Sequence, residues 1–209
     1  MADYDVAIIG GGIHGVGIAQ AAAAAGYSVL CLEEKEWGGA TSSRSSKLIH
    51  GGLRYLQTGQ LNLVRRCLNE RDRLLKLAPD LVKLRSFYIP VYDGGRYSAT
   101  QIRWALRAYY LLTGLRETGL YSELPPARWS EIKGLKHDGL THIFRYYDGQ
   151  TDDQALTHAV GESAQRLGAA LCCPARFDAA TRSESGYALT YYETERKKRA
   201  SCRVLVNAA

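Results

Sequence analysis

No stretch of this 209-residue sequence approaches the ~18 consecutive apolar residues that a helix needs to cross a bilayer. The N-terminus lacks the basic region of a signal peptide and carries Asp3 and Asp5 in its place. Cysteine is scarce. The five residues, Cys31, Cys67, Cys172, Cys173 and Cys202, are odd in number and show no C-x-x-C spacing. That pattern speaks against a disulfide framework, a zinc ribbon or a dithiol centre. Five scattered histidines offer no zinc spacing either, so no metal is expected. Repeats are absent, and the only biased tract, Ala21 to Ala25, is good helix. These absences set the expectation of a globular, reduced chain in the cytoplasm or on the cytosolic face of a membrane.

What is present begins at once. Asp5-Val6-Ala7-Ile8-Ile9 is a short apolar, β-branched run of the kind that forms a buried parallel strand. Gly10, Gly12 and Gly15 then fit G-x-G-x-x-G, and residues 13–25 read as an alanine-rich helix closed by Gly26. A second strand over 27–32 ends at Glu33. This order of strand, turn, helix and strand is what a dinucleotide fingerprint requires. Gly10 permits the tight turn, Gly12 lets the backbone approach a pyrophosphate, and Gly15 lets the helix press on the strand. The helix start, with Ile13 and His14, offers unpaired N–H groups and partial positive charge to phosphates. Glu33, about 20 residues beyond the glycines, stands where an acid accepts from a ribose hydroxyl. Periodicity does not say whether the dinucleotide carries a nicotinamide or a flavin.

The second informative segment runs from Ala40-Thr41-Ser42-Ser43-Arg44-Ser45-Ser46 through Lys47-Leu48-Ile49-His50-Gly51-Gly52-Leu53-Arg54-Tyr55-Leu56. A serine cluster alone is a solvated loop, and an isolated lysine is a surface charge. Taken with Ile8 to Gly15 and Leu32-Glu33, however, the run resembles the N-terminal part of the FAD-dependent glycerol-3-phosphate dehydrogenases, within the D-amino-acid-oxidase-like flavoproteins. Weaker similarity continues through Glu70-Arg71-Asp72, Asp152-Asp153-Gln154-Ala155-Leu156 and Leu205-Val206-Asn207-Ala208.

The resemblance implies a set of expectations. FAD would be held by Gly10, Gly12, Ile13, His14, Gly15, Glu33, Thr41, Ser42, Ser46, Lys47, Leu48, His50 and Ala208. Lys47 would place positive charge near the flavin. Arg54 would grip a substrate phosphate, with Tyr55 in the same pocket. His50 would be a candidate base for the substrate hydroxyl, against the alternative of a structural histidine. The substrate would be a small phosphorylated polyol, and the electrons would pass to a quinone or another acceptor. The family's chains continue past Val206-Asn207-Ala208, so these residues are expected to be the N-terminal portion of such an enzyme.

The expected fold class is α/β. It comprises a discontinuous Rossmann-like FAD-binding domain with a parallel sheet, over 1–79 and 148–209, and part of an inserted α+β substrate domain over 80–147. Helices are expected over 61–77, 100–112 and from Asp152 or Asp153 to about Leu167, with Gly168 as the stop. Strands are expected over 84–91, 170–173, 187–193 and 203–207. Lys197-Lys198-Arg199 reads as a solvated hairpin turn.

The net charge of +6 suits an anionic substrate, a membrane surface or nucleic acid equally. Arg103, Arg107, Trp104 and Tyr110 give the 100–112 helix a basic, aromatic character that can lie in a lipid interface. The plainer reading turns Ile102, Leu106 and Tyr109 to a core and the arginines to water. Nucleic acid is not expected, because flavoproteins that modify tRNA would not carry the 45–55 run. The alternatives are another hydroxy-acid or amino-acid oxidoreductase of the same superfamily, or a chain that binds FAD without turnover.

Overall fold

The computed structural model describes residues 2–209. The chain divides into two compact units, one formed by Met1–Lys47 with Asp152–Ala209 and the other by Leu48–Thr151.

The first unit is built on a six-stranded sheet. Its strands are β1 (Tyr4–Ile9), β2 (Val29–Leu32), β7 (Ala170–Cys172), β8 (Ala175–Ser183), β9 (Gly186–Glu193) and β10 (Arg196–Asn207), in the order β7-β2-β1-β10-β9-β8. The β7-β2-β1-β10 half is parallel, and the β10-β9-β8 half is antiparallel. All four residues of β2 (Val29, Leu30, Cys31 and Leu32) are buried, as a strand covered on both faces demands. On one face α1 (Ile13–Ala24) and α5 (Asp153–Arg166) pack small residues, Ala19, Ala23 and Ala164, against Ile8, Val29 and Cys31. On the other, Leu189 and Tyr191 of β9 and Ala175 of β8 cover Ala7, Leu30 and Leu32. The switch from antiparallel to parallel pairing falls at Cys202, which pairs with both Tyr187 and Tyr4.

Asp152 caps α5, its carboxylate accepting from the Ala155 N–H at 3.0 Å, and Gly168 follows the helix at φ +97°. The β9–β10 connection is a two-residue turn in which Thr194 and Glu195 both take positive φ, the geometry that matches strand twist. Lys197, Lys198 and Arg199 therefore lie in β10, paired with Tyr192, Tyr191 and Thr190, and not in the turn. Their charge disguised the strand; the exposed side chains of an edge-ward ribbon tolerate it.

The second unit is an antiparallel sheet of β3 (Leu48–Ile49), β6 (Leu140–Thr151) and β4 (Val82–Tyr92), in that order, with β5 (Tyr121–Glu123) also pairing with β6. Three helices belong to it: α2 (Leu53–Leu56), α3 (Leu61–Leu77) and α4 (Ala99–Leu112). A capping box opens α4: Ser98 Oγ accepts from the Gln101 N–H, and Gln101 Oε1 accepts from the Ser98 N–H at 2.8 Å. Val64 and Leu68 of α3 pack on Tyr109 of α4, with Leu53 and Leu56 of α2 around them. This compact unit begins at residue 48, ahead of the 80–147 segment expected from the element order and the resemblance, because β3 pairs Leu48 with Gln150 and Ile49 with Gly149. That two-residue strand is too short to show a period in sequence.

Candidate functional site

The glycine turn lies at the carboxyl ends of β1 and β2, the usual place for a ligand in a parallel sheet. Gly10 has φ +104°, and a Cβ there would meet the Ala208 carbonyl at 2.7 Å. Ala208 is itself tied to the turn, its N–H donating to Ile9 O at 2.8 Å. At Gly15 a Cβ would overlap the Gly10 carbonyl oxygen, so glycine is what lets α1 start this close to β1. Gly12, the N-cap of α1, has only Ser42 Oγ near its Cβ direction, at 3.1 Å, and is otherwise open. No acidic residue occupies the first turn of α1, and Ile13 and His14 are exposed. A helix N-terminus with no acidic residue in its own first turn fits a pyrophosphate.

Glu33 closes the other side of the turn. Its Oε2 accepts from the Gly11 N–H at 2.6 Å and its Oε1 from the Lys35 N–H at 2.8 Å, which fixes the carboxylate and leaves lone pairs for ribose hydroxyls. Thr41 and Ser42 begin a single 3-10 turn, Thr41–Arg44, and Ser42 Oγ accepts from the Ile13 N–H at 2.9 Å. Ser46 is exposed and Leu48 half-buried.

Lys47 takes a left-handed backbone, φ +60°, that a non-glycine residue enters at a cost. Its ammonium donates to Asp153 Oδ1 and to Ser43 O. Asp153 also accepts from Ser45 Oγ at 2.7 Å. The Lys47 hydrogen bond, helped by Ser45, holds the Asp153 carboxyl down to about 2. The pair fastens the serine loop to the start of α5. It also means that the Lys47 charge is shared with a carboxylate. Sequence reasoning quoted Asp153 only as a helix cap and a point of resemblance.

In the second unit, His50 follows β3 and is exposed, whereas Gly51 and Gly52 are buried. Gly52, at φ +71°, is the N-cap of α2, the short helix that carries Arg54 and Tyr55 outward. Both side chains are exposed, and among the described residues the Arg54 guanidinium has no carboxylate within ion-pair distance. An exposed guanidinium with no carboxylate partner can take an anion through paired N–H groups.

Behind this segment lies a buried polar network that sequence reasoning did not identify. Arg71, fully buried on α3, donates from Nη1 to Asp148 Oδ1 at 2.8 Å and from Nε and Nη2 to Asp72 Oδ1 at 3.1 and 3.0 Å. Tyr109 Oη donates to Asp148 at 2.8 Å and accepts from the Gly51 N–H at 2.8 Å. Asp72 is satisfied further by Arg116 at 2.6 Å and Thr118 at 3.1 Å. Burial pushes the Asp148 carboxyl up, opposed by its bonds to Arg71 and Tyr109. One signal was available: Arg71 falls three residues after Leu68 on the apolar stripe of α3, where a charge needs a buried partner.

On α4, Ile102 is half-buried and Leu106 and Tyr109 are buried, while Arg103, Arg107, Trp104 and Leu111 are exposed, with Arg107 stacked over Trp104. The cysteines are all free, and burial pushes the Cys31 thiol up to about 12. Cys31 and Cys202 are core residues with no exposure. Among the described residues no helix is long and apolar enough to cross a membrane.

Comparison with known proteins places this geometry. A family model described as FAD dependent oxidoreductase (DAO) matches residues 5–209. Glycerol-3-phosphate dehydrogenase of Pseudomonas aeruginosa is 39% identical over 213 residues, spanning 99% of this chain and 40% of the relative. Aerobic glycerol-3-phosphate dehydrogenase of Bacillus subtilis is 35% identical over 167 residues, 79% of this chain and 30% of the relative. Among solved structures, the glycerol-3-phosphate dehydrogenase from Bacillus halodurans complexed with FAD superimposes with a TM-score of 0.73 at 22% identity, covering 99% of this chain and 34% of that one. The L-proline dehydrogenase of P. horikoshii does so at 0.71 and 18% identity, covering 98% and 52%. At those identities the two structures establish the fold and nothing finer.

Proposed function

From the premise that the chain belongs to the FAD dependent oxidoreductase (DAO) family, we propose that it serves the oxidation of sn-glycerol 3-phosphate to dihydroxyacetone phosphate, with the electrons passed on to a quinone. The observation that carries the substrate assignment is Arg54, exposed and free of a carboxylate partner beside Tyr55, in a chain 35–39% identical to relatives named for glycerol 3-phosphate.

When bound, FAD supplies the hydride acceptor. The protein's own groups do the rest. The Gly10 to Gly15 turn and the start of α1 would hold the pyrophosphate, and Glu33 would accept from the ribose. Thr41, Ser42, Ser46, Lys47, Leu48 and His50 would hold the remainder of the cofactor. Arg54 binds the substrate phosphate through paired N–H groups, and Tyr55 adds a hydroxyl to the same ligand. His50 accepts the proton of the C2 hydroxyl as the C2 hydrogen departs with its electron pair, leaving the ketone. Removing an alkoxide-forming proton in this way is work suited to an imidazole near neutral pH.

The proposed location is the cytoplasm, with peripheral attachment to the cytosolic face of the inner membrane. The free cysteines, the exposed Trp104 between Arg103 and Arg107 on α4, and the exposed Leu111 one turn further on support it. Co-sedimentation with anionic vesicles, reduced in Trp104→Ser, tests the attachment.

The substrate assignment is tested by initial rates of the FAD-loaded protein with an artificial electron acceptor. Glycerol 3-phosphate should be oxidised, and glycerol, lactate and proline should not. Turnover of proline or lactate without turnover of glycerol 3-phosphate would instead favour an amino-acid or hydroxy-acid oxidoreductase of the same fold.

A further inference from the structure

We propose that Tyr109 is a positioning residue for the His50-Gly51-Gly52-Arg54 segment, its hydroxyl locking the Gly51 amide and being itself oriented by the buried Asp148–Arg71 pair.

Tyr109 Oη has one proton to give and lone pairs to receive with. Asp148, when ionised, can only accept, so it takes the hydroxyl proton at 2.8 Å from Oδ1 and 2.9 Å from Oδ2. With its proton committed there, the hydroxyl has only lone pairs left to present, and the Gly51 N–H occupies one at 2.8 Å. A neutral or rotated partner at 148 would leave that choice open. Arg71 removes the ambiguity by holding Asp148 as the anion from the opposite side, at 2.8 Å. Arg71 is in turn held by Asp72, and Asp72 by Arg116. The set carries two cations and two anions, so its charges balance inside the unit.

The geometry at Gly51 is equally restrictive. A Cβ there would stand 2.5 Å from Leu68 Cδ2 and 2.6 Å from Tyr109 Oη, so the backbone is pressed directly onto both side chains. Gly52 follows in the left-handed region and starts α2. The backbone at 51 and 52 therefore sets the direction of His50 on one side and of Arg54 and Tyr55 on the other. Those three residues have exposed side chains, so their direction follows from the backbone that carries them, which Leu53 and Leu56 also fasten to the core. Tyr109 is 1% exposed, and its hydroxyl reaches the segment through the Gly51 amide. A buried network of this kind could serve stability alone. The direct bond to an amide outside any helix or strand, immediately between two candidate site residues, points to placement of that segment.

This inference rests on the proposed reading of His50 and Arg54, and its test separates the two. Tyr109→Phe keeps the ring and removes the hydroxyl. Amide exchange at Gly51 should accelerate about ten- to a hundredfold, with the rise confined to residues 48–56. FAD affinity should fall by less than kcat/KM does, since most of the residues proposed to hold the cofactor lie outside 48–56. In the FAD-loaded protein, kcat for glycerol 3-phosphate should fall and KM should rise together, by about tenfold or more in their ratio. Leu140→Ala is the control, since it loosens the same unit against Leu124 and Ile143, in a cluster that holds neither Gly51 nor any residue of α2. It should lower Tm while leaving kcat and KM unchanged below the transition.

Faster exchange spread over the whole 48–151 unit, with kcat and KM at wild-type values, would overturn the positioning role in favour of a structural one. Should Tyr109→Phe fail to fold, the wild-type protein decides. A Gly51 amide as protected as those of β6 supports the bond, and one exchanging at loop rates overturns it. If the wild type does not turn over glycerol 3-phosphate but Gly51 exchange responds as stated, the substrate reading falls and the placement by Tyr109 stands.

Discussion

Replacing Arg71 by Met retains the apolar stem and deletes a guanidinium that makes bonds to Asp72, Asp148 and the Tyr147 carbonyl with no exposure to water. Asp72 would still be served by Arg116 and Thr118, so most of the loss falls on Asp148, left with Tyr109 alone. Removing one partner of a buried pair costs about 3–5 kcal/mol. A domain's whole stability is about 5–15 kcal/mol, so the variant should sit near the edge of folding at 25 °C. The penalty also has a sign in pH. Burial already raises the Asp148 pKa above 3.8, and without Arg71 it rises further. A carboxyl raised in the folded state penalises folding when ionised, so the deficit should be largest at neutral pH and shrink as pH falls toward 4. Asp148→Asn in the same chain removes the orphaned charge and should recover about 2 kcal/mol. Urea unfolding followed by tryptophan fluorescence reports mainly on this unit, which holds Trp104 and Trp129 while Trp37 lies in the other. A cost below about 1 kcal/mol, or single substitutions that add within about 0.5 kcal/mol, would refute the reasoning.

Three further outcomes are expected. Gly15→Ala places a methyl on the Gly10 carbonyl oxygen and should weaken FAD binding, read by quenching of flavin fluorescence, while Gly17→Ala, whose Cβ meets nothing, should not. Arg54→Lys gives up the paired guanidinium geometry and should raise KM for glycerol 3-phosphate about tenfold or more at unchanged FAD affinity. Asp153→Asn breaks the clasp to Lys47; because the folded pKa of Asp153 is depressed to about 2, its contribution is present above the unfolded value of 3.8 and lost as pH falls toward 2. The Tm difference from wild type should therefore vanish over that window.

Most of the first unit was legible in the sequence because its signals are local. β1, the glycine turn, α1 and β2 each occupy a few consecutive residues with one strong period or punctuation, and Glu33 is placed by counting. α3 matched its apolar spacing from Leu61 to Leu77. The strands β6 and β8 were missed for a different reason. β6 mixes His142, Arg145 and Asp148 with aromatics, and its polar positions are explained only by partners far away in sequence. The entry into the second unit at Leu48 depends on a two-residue pairing with Gln150 and Gly149, which no local pattern encodes. The serine loop was readable as a ligand-facing segment only through resemblance, and the Lys47–Asp153 clasp that organises it joins residues about a hundred positions apart.

Oxidation of glycerol 3-phosphate at the flavin is read in the visible spectrum of the FAD-loaded protein under anaerobic conditions, before and after the substrate is added. The oxidised flavin bands should bleach with glycerol 3-phosphate and not with glycerol, and the bleaching should weaken in Arg54→Lys. Bound flavin that keeps its oxidised spectrum in the presence of glycerol 3-phosphate would contradict the proposed oxidation.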